Sequence, residues 1–226
     1  YGPRQIMDIV NPTFRRYAEK IIRTLMAHVQ HHPAIIGWQL DNETKHYDNI
    51  GRYMQEGFVR SLQEKYPDLR QLNHDFGLDY WSNRIDRWQD FPPVENTINA
   101  SLACAFSRYQ RQQVTEYLAW QAAIVREYAQ PHQFVTHNFD FEWRGYSYGV
   151  QPRVDHFAAA QALDIAGVDI YHPSQVHLTG REIAFGGAIT RSLKPGQNYF
   201  VLETQAQGFA QWTPFPGQLR LQAFSH

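Results

Sequence analysis

The sequence predicts an α/β fold, part of a (β/α)8 TIM barrel in which strands and helices alternate around a parallel sheet. Three observations carry that expectation. Short apolar runs alternate with segments of helical periodicity, and strands separated by helices pair in parallel. Each run ends in polar residues: Asp41-Asn42-Glu43, Thr136-His137-Asn138, Tyr171-His172 and Glu203-Thr204-Gln205. Polar groups gathered at the carboxyl ends of successive parallel strands mark the active face of such a barrel. No run is followed by the glycine-rich turn with which a flat doubly wound sheet holds its ligand.

The elements follow in order. Asn11-Pro12 starts a helix, with Pro at its first position. Phe14, Tyr17, Ile21, Ile22, Leu25 and Val29 continue it at helical spacing. His32-Pro33 stops it, and Ala34 to Leu40 reads as a short buried strand. Residues 51–66 are helical, with Phe58, Leu62 and Tyr66 on one face. Residues 67–93 read as an aromatic, loop-rich stretch containing Trp81 and Trp88. A long helical pattern covers 98–129 and ends before Pro131. The segment QFVTHN (133–138) is the second strand, and residues 153–163 form a short helix. AGVDIYHP (166–173) is the third strand, 179–193 a helix, and NYFVLETQ (198–205) the fourth strand.

Bulk properties narrow the function classes. The chain has 226 residues, with 43% hydrophobic and 19% charged, a globular balance without the signature of disorder. A formal net charge of −1 argues against an electrostatic nucleic-acid footprint. No phosphate-cradling glycine loop is present to suggest a nucleotide enzyme. No apolar run approaches the roughly 20 residues of a membrane-spanning helix. The single cysteine, Cys104, excludes an internal disulfide and fits a reducing, cytoplasmic setting. Aromatic residues make up 15%. They suit either a large core or a sugar site, where flat rings stack on apolar sugar faces.

The strand tips carry the chemistry. Glu43 and Glu203 each follow an apolar strand, so two strands of one barrel would bring both to its mouth. A pair of carboxylates there suits glycoside hydrolysis, which needs one protonated acid and one ionised carboxylate. Different surroundings separate the two protonation states. Taken singly, either Glu could instead cap a helix or pair with an arginine. Asn42 beside Glu43 could donate a hydrogen bond to a sugar hydroxyl, or simply form a turn. Asp41 is expected to hold the strand end or an arginine.

These residues carry a resemblance. HPAIIGWQLDNE resembles the acid/base strand of the glycoside hydrolase family 42 β-galactosidases, and YFVLETQAQGFAQW resembles their nucleophile strand. The likeness runs through nearly the whole chain. It includes YGPRQ, NPTFRRY, DYWSNR, THNF, DIYHP and TPFPGQLRLQAFSH. The Asp-Asn-Glu motif alone is shared more widely, and it gains specificity together with the nucleophile strand.

The resemblance implies a retaining β-galactosidase with Glu43 as acid/base and Glu203 as nucleophile. It implies a galactose contact for Arg4, which could otherwise be a surface charge. Trp81 and Trp212 correspond to tryptophans of the pocket wall, though either could belong to a core. Tyr171 is placed to hydrogen-bond Glu203, and Asn138 to orient the pocket floor. The implied partner is a β-galactoside oligosaccharide, with no cofactor, no nucleic acid and no membrane. The family is often trimeric, which makes a homo-oligomer the expectation for the parent protein. Two alternatives stay open: a related barrel hydrolase acting on β-mannosides, β-glucosides or β-glucans, and a carbohydrate-binding barrel without chemistry.

The sequence departs from the family in two ways. Some members carry a cysteine-ligated structural zinc, for which Cys104 alone is insufficient. His28, His31 and His32 do not replace it, because they sit near a helix end, where cations are favourable; no metal site is expected. The second departure is strand number. A full barrel has eight strands over about 250 residues, whereas the four here correspond to the fourth to seventh. Residues 1–226 are therefore expected to form a partial catalytic domain, with the first three strands, the eighth and later domains outside it. A fragment with unpaired strand edges is expected to be inactive or poorly folded alone.

Overall fold

A computed structural model describes residues 7–141, 150–172, 179–204 and 214–226. Four strands, β1 (Gly37–Gln39), β2 (Phe134–Asp140), β3 (Ile165–Ile170) and β4 (Phe200–Thr204), form one sheet in the order β1-β2-β3-β4. All three pairings are parallel, as expected when a helix returns the chain between neighbours. The crossovers contain α2 (Arg52–Lys65), α3 (Leu69–Phe76) and α4 (Ala100–Arg126) between β1 and β2, α5 (His156–Ala159) before β3, and α6 (Arg181–Leu193) before β4. Helix α1 (Pro12–Val29) precedes the sheet, and α7 (Gln218–Ser225) follows it. The arrangement is an arc of a (β/α)8 barrel. Among the described residues, no helix is long and apolar enough to cross a membrane.

Local chemistry accounts for the element boundaries. The Asn11 side chain accepts from the backbone N–H groups of Thr13 and Phe14 at 2.9 and 3.2 Å, capping α1 beside Pro12. Its inner residues Phe14, Ile22 and Met26 join the main core with Val114, Leu118 and Val125 of α4. Tyr17, Ile21 and Leu25 face outward instead and are more than half exposed. The helix is thus apolar on two sides, which the single periodic run in the sequence does not separate. Strand β1 is shorter than the apolar run that announces it. Among the described residues it has a strand partner on one side only, although Ile36 and Leu40 still bond to Phe134 and Thr136 of β2.

The 67–93 stretch corrects the loop-rich expectation, because it contains α3. Asp68 caps that helix by accepting from the Arg70 N–H at 2.9 Å, and Gly77 ends it with φ +62°. Buried Asn73 then bonds the backbone of Ile85 in both directions, at 2.7 and 2.9 Å. These contacts close a second core around Met54, Phe58, Leu62, Leu72, Leu78, Ile85, Val94, Leu102 and Phe106. Helix α4 supplies both cores. Its N-terminal half packs into this lateral lobe and its C-terminal half lies on the sheet. A further helix, α7, lies in the closing segment, where the sequence reading ended on a strand.

Candidate active site

The site forms where the four strands end. An oxygen from each of Glu43, Asp169 and Glu203 lies within 4.8 Å of the other two. Glu43 reaches this point on a tight turn after β1, in which Asp41 and Glu43 adopt left-handed backbone with φ +41° and +46°. Such conformations are uncommon for residues other than glycine, so the turn must be held by its surroundings. Asp41 contributes by accepting from the Thr44 hydroxyl at 2.7 Å. No arginine is needed for that role. The Tyr47 hydroxyl donates to the Glu43 carbonyl at 3.2 Å.

Glu203 reaches the same point through an irregularity in its strand. Val168 is in register with Val201, but Asp169 is in register with Glu203, so Leu202 is an extra residue in β4. Val201 packs in the layer with Ile183 of α6 and Val168. Strict alternation would put residue 203 on that same side. The bulge instead turns the Glu203 side chain to the inner face, the common use of a bulge beside a functional site. The hydroxyl of Tyr171, just past β3, donates to Glu203 Oε2 at 2.9 Å.

Asn138 organises the floor and is fully buried. Its Nδ2 lies 2.7 Å from Asp169 Oδ2, 3.1 Å from Asn42 Oδ1 and 3.2 Å from Glu203 Oε1. Two N–H bonds are thus shared among three acceptors. Its Oδ1 accepts from Gln39 Nε2 at 2.9 Å and from the Glu43 backbone N–H at 3.3 Å. One amide therefore links the tips of all four strands. Lys45 pairs with Asp140 at the edge of the group, and Gln151 donates to the same Asp140 oxygen at 3.2 Å.

Asp169 is the residue the sequence reading missed. It is buried, and burial pushes its carboxyl up to about 8. The neighbouring charges of Glu203 and Glu43 push in the same direction, while the bond from Asn138 opposes them. Asp169 is therefore a neutral acid near neutral pH, with its Oδ1 lacking a hydrogen-bond partner among the described residues. The Tyr171 hydroxyl is likewise raised, by burial and then by its bond to Glu203, and stays protonated as a donor. The three carboxylates could geometrically surround a cation. Asp169 Oδ2 and both Glu203 oxygens already accept from Asn138 or Tyr171, however, and a cation there would compete with those hydrogens.

The predicted residues divide into three groups. Glu43, Glu203, Asn42, Asn138 and Tyr171 are brought together. Trp81 lies elsewhere, in a single 3-10 turn of the lateral lobe, where it is 70% exposed and stacks on Tyr80 at 5.2 Å. It is neither a core residue nor a member of the hydrogen-bonded group at the strand tips. Arg4 and Trp212 lie outside the described residues.

Comparison with known proteins gives a consistent result. A family profile described as β-galactosidase matches residues 1–226. The chain is 31% identical over 177 residues to the β-galactosidase BgaH of Haloferax lucentense, covering 76% of this chain and 25% of that protein. It is 29% identical over 247 residues to a β-galactosidase of Thermus thermophilus, covering 98% of this chain and 37% of that protein. The crystal structure of a β-galactosidase from Bacillus circulans sp. alkalophilus superposes with a TM-score of 0.83 at 23% identity, covering 100% of this chain and 34% of that one. The chain thus spans between a quarter and somewhat over a third of the length of these proteins.

Proposed function

The chain belongs to glycoside hydrolase family 42, the β-galactosidase family, and from that premise we propose that its strand tips cleave terminal β-D-galactosides with retention of configuration. The observation that supports the mechanism is the approach of Glu43 and Glu203, one oxygen of each lying within 4.8 Å of the other. So close an approach is compatible with the carboxyl separation of about 5–5.5 Å that retaining glycosidases use.

Each group then has a role. The Glu203 carboxylate attacks the anomeric carbon as the bond to the leaving oxygen breaks, and Glu43 gives its proton to that oxygen. The product of this step is a galactosyl ester on Glu203. The Glu43 carboxylate next takes a proton from water. The water oxygen attacks the anomeric carbon and displaces Glu203, which restores both residues. Tyr171 and Asn138 each hold one oxygen of Glu203 and so fix the direction of attack. Asn42, adjacent to the acid, is the candidate donor to the sugar hydroxyl beside the reacting carbon, where hydrogen bonds strengthen in the transition state. Arg4, Trp81 and Trp212 are proposed sugar contacts on the strength of the sequence resemblance alone.

A covalent trap tests the reading. The full-length gene product is incubated with a 2-deoxy-2-fluoro-β-galactoside bearing a good leaving group, then digested and mapped by mass spectrometry. A galactosyl adduct on Glu203 is expected. An adduct on Glu203 only from the glucose or mannose analogue would keep the mechanism and move the substrate. No adduct from any of the three would overturn the assignment of Glu203.

A further inference from the structure

His137 lies in the apolar layer between sheet and helices, where a histidine needs a reason. It is fully buried, and its neighbours Val135 and Phe139 face the main core. Its ring packs edge-on against Phe139 at 4.9 Å. Both ring nitrogens are engaged. Nδ1 lies 2.6 Å from the Leu40 carbonyl oxygen, and Nε2 lies 3.3 Å from the Thr44 backbone nitrogen. A carbonyl can only accept and a backbone N–H can only donate. The partners therefore fix the tautomer: Nδ1 carries the hydrogen and Nε2 offers its lone pair. Burial holds the imidazole in this neutral form by lowering its proton affinity.

The two partners bracket the turn that carries Glu43. Leu40 ends the β1 ladder and Thr44 is the first residue beyond Glu43. Between them Asp41 and Glu43 sit in left-handed backbone, which a free turn of these residues would leave. Asn138, the next residue of β2, grips the same turn from the inner face by accepting from the Glu43 N–H. Successive strand residues point to opposite faces, so β2 clamps the turn from both sides of the sheet.

We propose that His137 is a positioning residue for Glu43: a neutral imidazole clamp that spans Leu40 to Thr44 and holds the acid over the leaving oxygen. This rests on the assignment of Glu43 as the acid/base. The clamp itself is a statement about the backbone and has a readout independent of substrate.

The test uses the full-length gene product with His137→Phe, which keeps an aromatic ring and removes both bonds, and His137→Gln, which keeps one donor and one acceptor. Amide hydrogen exchange is followed at Thr44. In His137→Phe it should accelerate at least tenfold, while amides of α4 exchange as in the wild type. In parallel, kcat/KM is measured on a dinitrophenyl galactoside, whose leaving group needs no proton, and on an alkyl galactoside, whose leaving group does. The alkyl substrate should lose at least tenfold more than the activated one, and His137→Gln should recover part of the difference. Unchanged exchange at Thr44 would overturn the clamp. Equal losses on both substrates would reduce His137 to a packing residue and overturn its role toward Glu43. A wild-type protein that turns over neither galactoside would sink the proposed function, while the exchange measurement would still decide the clamp.

Discussion

Asp169 and Glu203 are register partners on adjacent parallel strands, and one amide group, that of Asn138, bonds an oxygen of each. Two carboxylates placed opposite each other with Glu43 also within 4.8 Å cannot all be ionised cheaply. Burial keeps a proton on Asp169. Asp169 is a neutral member of the group below about 8, which spares Glu203 a second negative charge on the neighbouring strand.

The first prediction is a basic limb in the pH profile that belongs to Asp169. Its carboxyl is held up at about 8, so raising the pH through that value adds a negative charge beside Glu203, with Glu43 and Asp140 also nearby. Activity should fall there, because a second charge opposes the approach of an attacking carboxylate and disturbs the shared amide. Asp169→Asn is neutral at every pH and should lose this limb while retaining activity near neutrality. A limb of unchanged midpoint in the Asn variant would show that another group is responsible.

Stability should respond with a defined sign. The folded protein holds the Asp169 proton up to about 8, whereas the unfolded chain releases it at the ordinary value of 3.8. Between those values the folded state binds more protons than the unfolded state. Its stability therefore falls as pH rises through the window, and the deficit is complete above about 8. Urea midpoints measured at pH 5 and pH 9 should differ more for the wild type than for Asp169→Asn.

Tyr171→Phe removes one of the two donors that hold Glu203 and leaves the ring in place. Hydrogen bonds to a charged acceptor are worth about 1.5–3 kcal/mol, and about 1.4 kcal/mol is tenfold in rate. A loss of roughly 10- to 100-fold in kcat/KM is expected, accompanied by slower formation of the fluorosugar adduct on Glu203. A rate of adduct formation equal to the wild type would mean that this hydroxyl does not direct the attack.

How much of this was legible in the sequence depends on periodicity. The four strands, their parallel order and the two glutamates were readable because apolar runs ended abruptly in polar residues. Asp169 is hidden in the sequence, because AGVDIYHP reads as a strand whose polar tip is Tyr171-His172. Alternation along the strand places Asp169 on the same face as Tyr171 and is the signal that could have found it. The orientation of Glu203 was beyond such reasoning, since the bulge at Leu202 breaks the alternation and shows only in the pairing with β3. Helix α3 had both of its markers, Asp68 and Gly77, but the surrounding aromatic residues obscured them. Trp81 stands on an exposed 3-10 turn of the lateral lobe, stacked on Tyr80, so its proposed sugar contact rests on motif resemblance alone.

Glu43 has a signature separate from that of Glu203. A general acid contributes about 10²–10⁴-fold when the leaving group needs a proton. Glu43→Ala should lose a factor in that range on an alkyl galactoside and far less, in kcat/KM, on a dinitrophenyl galactoside. Glu203→Ala should lose both reactions together, because no ester forms. Equal losses on the two substrates for Glu43→Ala would remove it from the acid role.

The sheet edges yield the last prediction. Strand β1 pairs only with β2, and β4 pairs only with β3, so among the described residues the outer edges of both are open. Unpaired edges recruit other strands. Two apolar surfaces lie alongside: Tyr17, Ile21 and Leu25 on α1, and Leu221 with Phe224, the latter 85% exposed, on α7. Exposed patches of this kind drive association. Residues 1–226 expressed alone should therefore self-associate in size-exclusion chromatography with light scattering, and should turn over no galactoside. The full-length gene product should do the opposite on both counts. A monodisperse, active 226-residue monomer would mean that the edges and the two apolar faces are tolerated as they stand, and that the arc of four strands suffices to hold Glu43 against Glu203.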